Sequence, residues 1–334
     1  MLLYLRHPER GLEMKAVVQH RYGEADALSL EEVARPEVGD GDILVQVVAA
    51  GVDRGALHFM TGHPYLMRLG TGLRSPKQTV PGVSFAGRVE AVGKDVSRFQ
   101  SGDEVYGAAK GTYAEYVAAS EGKVAPKPAT LTFEQAAVLP YASFAAVQAV
   151  RDHGQVRAGD HVLVVGASGA VGSIAVQVAK GLGAEVTGVC GPRSLEVTRS
   201  LGADHVVDYT HEDFADGSRH YDVIVDVFGR TPVPRMRRAL TPRGTLVIVG
   251  GEGDRWIGGT QRQLGAALLS PFVRQRLVTF LAKEEAETLE TINDLVAAGR
   301  VAPVVDRSYP LNEVGDAVRR LQDGSGSGRV VLTI

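Results

Sequence analysis

The run Gly166-Ala167-Ser168-Gly169-Ala170-Val171-Gly172 joins an apolar stretch, His161 to Val165, to a segment in which Val171, Ile174, Ala175 and Val178 recur at helical spacing. A glycine-rich turn between a strand and a helix suits one kind of chemistry above others. Glycine at 169 lets main chain approach a diphosphate, and the helix start beyond it offers N–H donors and the positive end of the helix dipole. Glycine at 172 lets helix and strand pack closely. Relative to G-x-G-x-x-G the middle glycine is displaced by one, with Ser168 between, so the turn is a variant of the dinucleotide fingerprint. Ser168, Gly169, Ala170, Val171 and Gly172 are its expected cofactor contacts.

A unit that prefers NAD places Asp or Glu about twenty residues further on, at the end of the second strand, to accept from the ribose hydroxyls. Here that strand ends Thr187-Gly188-Val189-Cys190-Gly191-Pro192-Arg193-Ser194. No acid stands there to repel a 2′-phosphate, and Arg193, joined by Ser194, can bind one through charge-assisted hydrogen bonds. The expected cofactor is therefore NADP(H).

The elements that must hold these residues follow from the rhythm of the chain. From residue 14 to about 137, short β-rich runs at 43–50, 87–92 and 103–107 are separated by Gly, Pro and Asp turns. After Pro140 the pattern becomes strand, helix, strand. It continues through 205–209, 222–227 and 244–250, with a helix expected to open on Thr231 as N-cap and Pro232 at its first position. Strands of near-continuous Val and Ile imply a parallel sheet covered on both faces. The tail offers a helix at about 284–298, a second with Asn312 as N-cap, and a closing strand. Residues 1–13 lack a signal-peptide pattern and read as an extension before a fold that starts at Met14.

Composition narrows the class further. The chain has 334 residues and 40 glycines, about 12 % against an average of roughly 7 %. Thirty-six basic and 39 acidic residues give a net charge of −3, so no overall cationic field attracts nucleic acid or anionic lipid, and neither is an expected partner. A single cysteine, Cys190, excludes an intramolecular disulfide framework and a multi-thiolate zinc lobe; a reducing, cytoplasmic setting is expected. The most apolar stretch, Ala136 to Val150, is too short and too interrupted to cross a bilayer.

Several further blocks occur in one order: Pro81-Gly82-x-x-x-Ala86-Gly87-x-Val89-x-x-Val92-Gly93, Gly102-Asp103-x-Val105, Gly111-x-Tyr113-Ala114-Glu115-Tyr116, and Ser200-Leu201-Gly202-Ala203-Asp204-His205-Val206. Together with the fingerprint they resemble the medium-chain dehydrogenase/reductase superfamily, specifically its zinc-independent quinone oxidoreductase-like branch, over about residues 14 to 334. The resemblance implies an α/β fold: a GroES-like β-domain from 14–137 and 285–334, and a Rossmann doubly wound domain from 138–284 that binds NADP(H). The active site is expected between them.

Positions that match the catalytic zinc ligands of related alcohol dehydrogenases read Asp53, Val83 and Tyr141, with Ser84 where a neighbouring acid stands. One carboxylate cannot supply the three donors that catalytic zinc needs, and His58 and His63 have no partner cluster, so no metal is expected. Asp53 and Tyr141 become the candidate catalytic residues, Asp53 as a proton donor if burial raises its pKa, or else as the partner of Arg54 or another base. The resemblance further implies cofactor contacts at Tyr209, Phe228, Gly250, Gly251 and Arg329. Ala145 replaces a threonine that often contacts cofactor. Phe59, Tyr65, Trp256 and Phe272 are candidates for the substrate pocket.

Without a Lewis acid, an enone or quinone that delocalises developing charge is the easier hydride acceptor. The expected activity is reduction of a conjugated carbonyl or quinone. A dehydrogenase of alcohols, a trans-acting enoyl reductase for carrier-bound thioesters, and a non-catalytic NADPH-binding protein remain as alternatives. The run Leu277-Val278-Thr279-Phe280-Leu281 resembles a strand through which relatives dimerise, so a homodimer is expected.

Overall fold

The computed structural model describes residues 13–250, 255–323 and 329–334. Strands β1 (Glu13–Gln19) and β2 (Leu28–Ala34) pair antiparallel, with Glu13 opposite Ala34. Strand β1 thus starts one residue before Met14, and the rest of the expected extension lies outside the described residues. Strand β3 (Asp42–Val52) leads through Asp53 into α1 (Arg54–Thr61), followed by the single turn α2 (Arg68–Thr71). Strands β4 (Ser84–Val92), β5 (Glu104–Ala108), β6 (Tyr116–Ser120) and β7 (Val124–Pro126) complete this part of the chain. A Cβ on Gly87 would fall 2.1 Å from the Gln46 carbonyl oxygen, so glycine is required for β3 and β4 to lie as they do.

Helix α3 (Phe133–Ala137) opens on a capping box: Thr132 accepts from the Gln135 N–H, and the Gln135 side chain accepts in return from the Thr132 N–H. The buried helix α4 (Pro140–Val147) carries Pro140 in its first turn, where a missing N–H costs nothing, and continues as one wide turn through Gln148–His153. The alternating part follows: β8 (His161–Val165), α5 (Ala170–Gly181), β9 (Glu185–Cys190), α6 (Leu195–Ser200), β10 (His205–Asp208), β11 (Tyr221–Asp226), α7 (Val233–Ala239), β12 (Leu240–Ile248), α8 (Thr260–Leu269) and β13 (Arg276–Thr279). The tail comprises α9 (Ala286–Ala297), β14 (Val305–Pro310), α10 (Val314–Asp323) and β15 (Arg329–Thr333).

Strands β8 to β13 form one parallel sheet ordered β10-β9-β8-β11-β12-β13. Its alternate faces bury against different helices. Val162 and Val164 meet Ile174, Ala175 and Leu289 on one side, while Leu163, Ile224 and Leu246 meet Met236, Ala239 and Ala266 on the other. This double covering is why the strands read as unbroken Val and Ile. The order reverses between β8 and β11, the place where sheets of this kind bind ligand.

The other sheet runs β14-β15-β3-β4-β5-β7, with β6 also paired to β3. Strands β14 and β15 come from the C-terminal part of the chain, so residues far apart in sequence join one sheet. Gln148 fastens the return crossing by donating from Nε2 to the Lys283 carbonyl (2.7 Å) and accepting from the Lys283 N–H (3.0 Å).

Two helix starts differ from the sequence reading. Pro232, rather than Thr231, is the N-cap of α7, because the Thr231 carbonyl instead accepts from Arg262 (2.7 Å). A 3₁₀ turn at Leu311–Glu313 includes Asn312 and precedes α10.

Candidate active site and cofactor cleft

The end of β3 and the start of α1 bring Asp53 to the seam between the two sheets. Its Oδ1 caps α1 by accepting from the Ala56 N–H at 2.8 Å. Its Oδ2 is sealed from solvent and has no hydrogen-bond partner. Burial pushes the carboxyl up from 3.8 to about 6, against the opposing pull of the Ala56 and Gly55 N–H groups. Among the described residues the Asp53 carboxylate makes only the cap on α1 and no ion pair.

Tyr141 lies on the same feature. A Cβ on Gly55 would stand 2.4 Å from the Tyr141 Cζ and 2.5 Å from its hydroxyl, so the phenol is seated on the bare backbone of the first turn of α1. The Tyr141 N–H donates to Ser84 Oγ (3.2 Å), which holds the start of α4 against β4. Burial, then the Asp53 and Glu284 charges, hold the phenol protonated well above its usual range. Beneath them the buried Tyr113 donates to the Gly51 carbonyl (3.3 Å) and also feels the Asp53 charge. The sequence positions Asp53, Ser84 and Tyr141 thus converge, whereas Val83 packs with the core. Among the described residues no three His, Cys, Asp or Glu side chains form a group able to hold a metal ion.

The glycine-rich turn has the form its spacing suggests, with one refinement. Gly166 takes φ +88°. A Cβ on Gly172 would sit 2.1 Å from the Gly166 carbonyl oxygen, so that glycine serves packing. At Gly169, the N-cap of α5, a Cβ would meet nothing nearer than 3.4 Å. The protein itself therefore leaves that position open, as a ligand-facing glycine requires. Ala170 and Val171 begin α5, no side chain caps its N-terminus, and Ser168 is half-buried in the turn.

Arg329, at the start of β15 in the other sheet, reaches this helix end. Its Nη2 donates to the Ala170 carbonyl (2.8 Å) and Ser173 Oγ (2.9 Å). Its Nη1 is buried without a partner, and burial lowers the guanidinium to about 10. A guanidinium with one buried, unpartnered nitrogen and no carboxylate among its described partners, beside free helix N–H groups, fits a pyrophosphate.

At the end of β9, Arg193 is exposed in the turn Pro192–Ser194 and makes no hydrogen bond or ion pair among the described residues. Tyr209 lies beside it, its phenol where a Cβ on Gly191 would stand 3.4 Å away. Phe228 packs on Gly166 at the reversal point, and Gly250 presses on the Val227 carbonyl oxygen, where a Cβ would come within 2.3 Å. Gly251 lies outside the described residues.

The expected pocket residues separate. Tyr65 and Leu66 donate their N–H groups to the carbonyls of Arg255 (2.8 Å) and Trp256 (2.9 Å), tying the segment after α1 to the segment before α8. Tyr65 also meets Trp256 edge to face at 5.2 Å. Phe59 is half-exposed on α1. Phe272 stands apart, 85 % exposed near the amino end of β13 in an open depression with Pro234, Arg237 and Arg274. Its removal from the group has a simple cause: parallel β13 carries its amino end away from the strand ends that form the cleft.

The sequence reading did not find the buried pair of Asp226, at the end of β11, and Arg262 on α8. Gly229 N–H also donates to Asp226 Oδ1 (3.0 Å), and Arg262 Nη1 is buried without a partner. A lone acid ending a Val-rich strand signals a needed partner, but nothing in the spacing identifies a residue 36 positions away.

Comparison with known proteins agrees with this architecture. Residues 39–129 match the alcohol dehydrogenase GroES-like domain family and residues 201–332 the zinc-binding dehydrogenase family. The chain is 33 % identical to the 2-methylene-furan-3-one reductase of Solanum lycopersicum, over 96 % of this chain and 79 % of that protein. It is also 33 % identical to the chloroplastic NADPH-dependent alkenal/one oxidoreductase of Arabidopsis thaliana, with the same coverage. The solved quinone oxidoreductase of Coxiella burnetii superposes with a TM-score of 0.83 at 28 % identity, covering 96 % of this chain and 99 % of that one. The chain belongs to the medium-chain dehydrogenase/reductase superfamily, in its zinc-independent quinone oxidoreductase-like branch. It is an NAD(P)H oxidoreductase of that type.

Proposed function

We propose that the protein uses NADP(H) to reduce conjugated carbonyls or quinones without a metal. The observation that carries this reading is the pairing of Asp53, whose Oδ2 is buried and unpartnered, with the phenol of Tyr141 at the place where related enzymes assemble metal ligands. One carboxyl and one phenol can hydrogen-bond an oxygen and deliver a proton; they do not make a zinc site. NADPH, when bound, supplies the hydride.

Around it the chain's own residues do the rest. The open backbone of Gly169 and the first turn of α5 receive the pyrophosphate with Arg329, while Arg193, Ser194 and Tyr209 take the 2′-phosphate. Tyr141 fixes the substrate oxygen, and Asp53, whose carboxyl burial raises to about 6, is the proton source on its inner side. Residues 14–137 with 285–334, and 138–284, act as the two domains, and Tyr65 with Trp256 shields the cleft from water. The names of the tomato and Arabidopsis relatives, a furanone reductase and an alkenal/one oxidoreductase, support activated carbonyls as the substrate class.

Strand β13 is an open edge of the parallel sheet, and Leu264, Leu268, Phe272 and Leu281 are exposed on elements around it. This face pairs two copies into a homodimer.

The test is NADPH oxidation in chelator-treated buffer with a cyclic enone, a para-quinone and a saturated ketone, alongside binding of NADPH and NADH. Turnover of the first two with tighter binding of NADPH is expected. Turnover of the saturated ketone would overturn the substrate argument, and equal affinities would overturn the cofactor argument.

A further inference from the structure

From Arg54 to Pro81 the sequence contains four cations, Arg54, Arg68, Arg74 and Lys77, and no carboxylate. The same segment exposes three leucines, Leu66, Leu69 and Leu73, the last two 72 % and 69 % accessible. Leu66 and Leu69 stand three residues apart on consecutive helical turns over Tyr65–Thr71, and Leu73 follows after one further turn's length. Solvated helical surfaces do not ordinarily present leucine at this interval, beside cations and without acids.

The segment is firmly built. Tyr22 donates to the Gly72 carbonyl (2.7 Å) and shares a hydrogen bond with Thr71 (2.9 Å). Arg68 donates to the carbonyl of Gly62 (3.0 Å) and lies over the rings of Tyr22 and Tyr65. The leucines are therefore held outward by a fixed scaffold. Arg74 and Lys77 are exposed, and their side chains make no hydrogen bond or ion pair among the described residues. Of the acids in the loop packed against this segment, Asp26 is paired with Arg21 (3.0 Å), and Glu24 is close enough to act on His63.

We propose that this face docks on an anionic lipid surface, Leu66, Leu69 and Leu73 entering the headgroup boundary while Arg74 and Lys77 meet lipid phosphates. A net charge of −3 over the whole chain does not oppose this. Charges beyond about 8 Å are screened at physiological salt, so the local cations decide. Charge complementarity favours lipid over a second copy, whose own face would bring the same cations together. The leucines adjoin Tyr65, which is bonded across to Arg255 and Trp256. Resting on the function proposed above, docking there places the cleft entrance against the bilayer and favours lipid-soluble acceptors.

The experiment is sedimentation of the full chain with vesicles of phosphatidylcholine alone or mixed with phosphatidylglycerol, at low and high salt. Binding only to the anionic vesicles, weakened by salt, is expected. The L69E/L73E variant should bind about tenfold or more weakly, as loss of one or two buried leucines dictates, and R74E/K77E should lose the preference for anionic lipid. Enone turnover in solution by both variants should match the parent, which shows the fold and cleft intact whatever the vesicles do. If the parent does not sediment with anionic vesicles, or if L69E/L73E sediments equally well, the proposal fails. A parent oligomer that L69E/L73E dissociates, with no vesicle binding, would assign the face to a second copy instead. The vesicle measurement needs no turnover, so failure of docking and failure of the proposed activity are read separately.

Discussion

At the scale of single residues the chemistry turns on Asp53. Its carboxyl is raised from 3.8 to about 6, so the native state holds the proton more tightly than the unfolded chain. Its contribution to stability is therefore greatest at low pH and falls between about pH 4 and about pH 6, becoming constant above. Asp53→Asn removes this titration. Relative to the parent, the variant should gain on the order of 3 kcal/mol across that window, read from Tm at both ends. If Asp53 is the proton source, parent turnover declines above about pH 6, and the variant is slower with that limb absent; an unchanged limb would remove Asp53 from the role. Arg193 carries the cofactor prediction. Arg193→Glu should weaken NADPH binding about tenfold or more, the scale of one charged hydrogen bond, and leave NADH binding nearly unaltered. Equal losses for both would show that Arg193 does not face the 2′-phosphate.

At the scale of elements, two glycines of one turn should separate fold from binding. Gly172→Ala drives a methyl toward the Gly166 carbonyl oxygen, where the gap is 2.1 Å, and should cost about 1–3 kcal/mol of stability. Gly169→Ala meets only a 3.4 Å contact; its Tm should hold while NADPH affinity drops. The pair of Asp226 and Arg262 joins β11 to α8 in the same way that a buried ion pair joins any two elements. Arg262→Ala strands a buried charge and should cost about 3–5 kcal/mol, whereas Arg262→Met with Asp226→Asn should cost much less. Denaturant unfolding of the single and double variants distinguishes these outcomes.

At the scale of the whole molecule, the exposed edge strand β13 and the apolar residues around it predict a particle of roughly twice the 35.4 kDa chain mass. A sedimentation mass near one chain would leave that face without its proposed partner. Net charge shows how scale changes a conclusion. Summed over 334 residues it offers no attraction to anionic surfaces, yet the segment from Arg54 to Pro81 is locally cationic and leucine-faced. The joining of the two sheets depends equally on distance in sequence: Arg329 belongs to β15, and it is the first turn of α5 that it serves.

The alternating strands, the glycine-rich turn and the absent acid after β9 were legible from sequence because each is local. Period, turn chemistry and helix-start donors act within a few residues. The family blocks extended that reading to Asp53 and Tyr141, which motif position alone could place near one another. Only the folded chain decided that Asp53 Oδ2 has no partner, that Gly55 is bare so that the Tyr141 phenol can rest on it, and that Phe272 lies away from the cleft. Those facts depend on burial and on contacts between distant segments, as does the pairing of Asp226 with Arg262. Hydrophobic pattern specifies which face of an element is buried; what meets it there is set by how the elements pack.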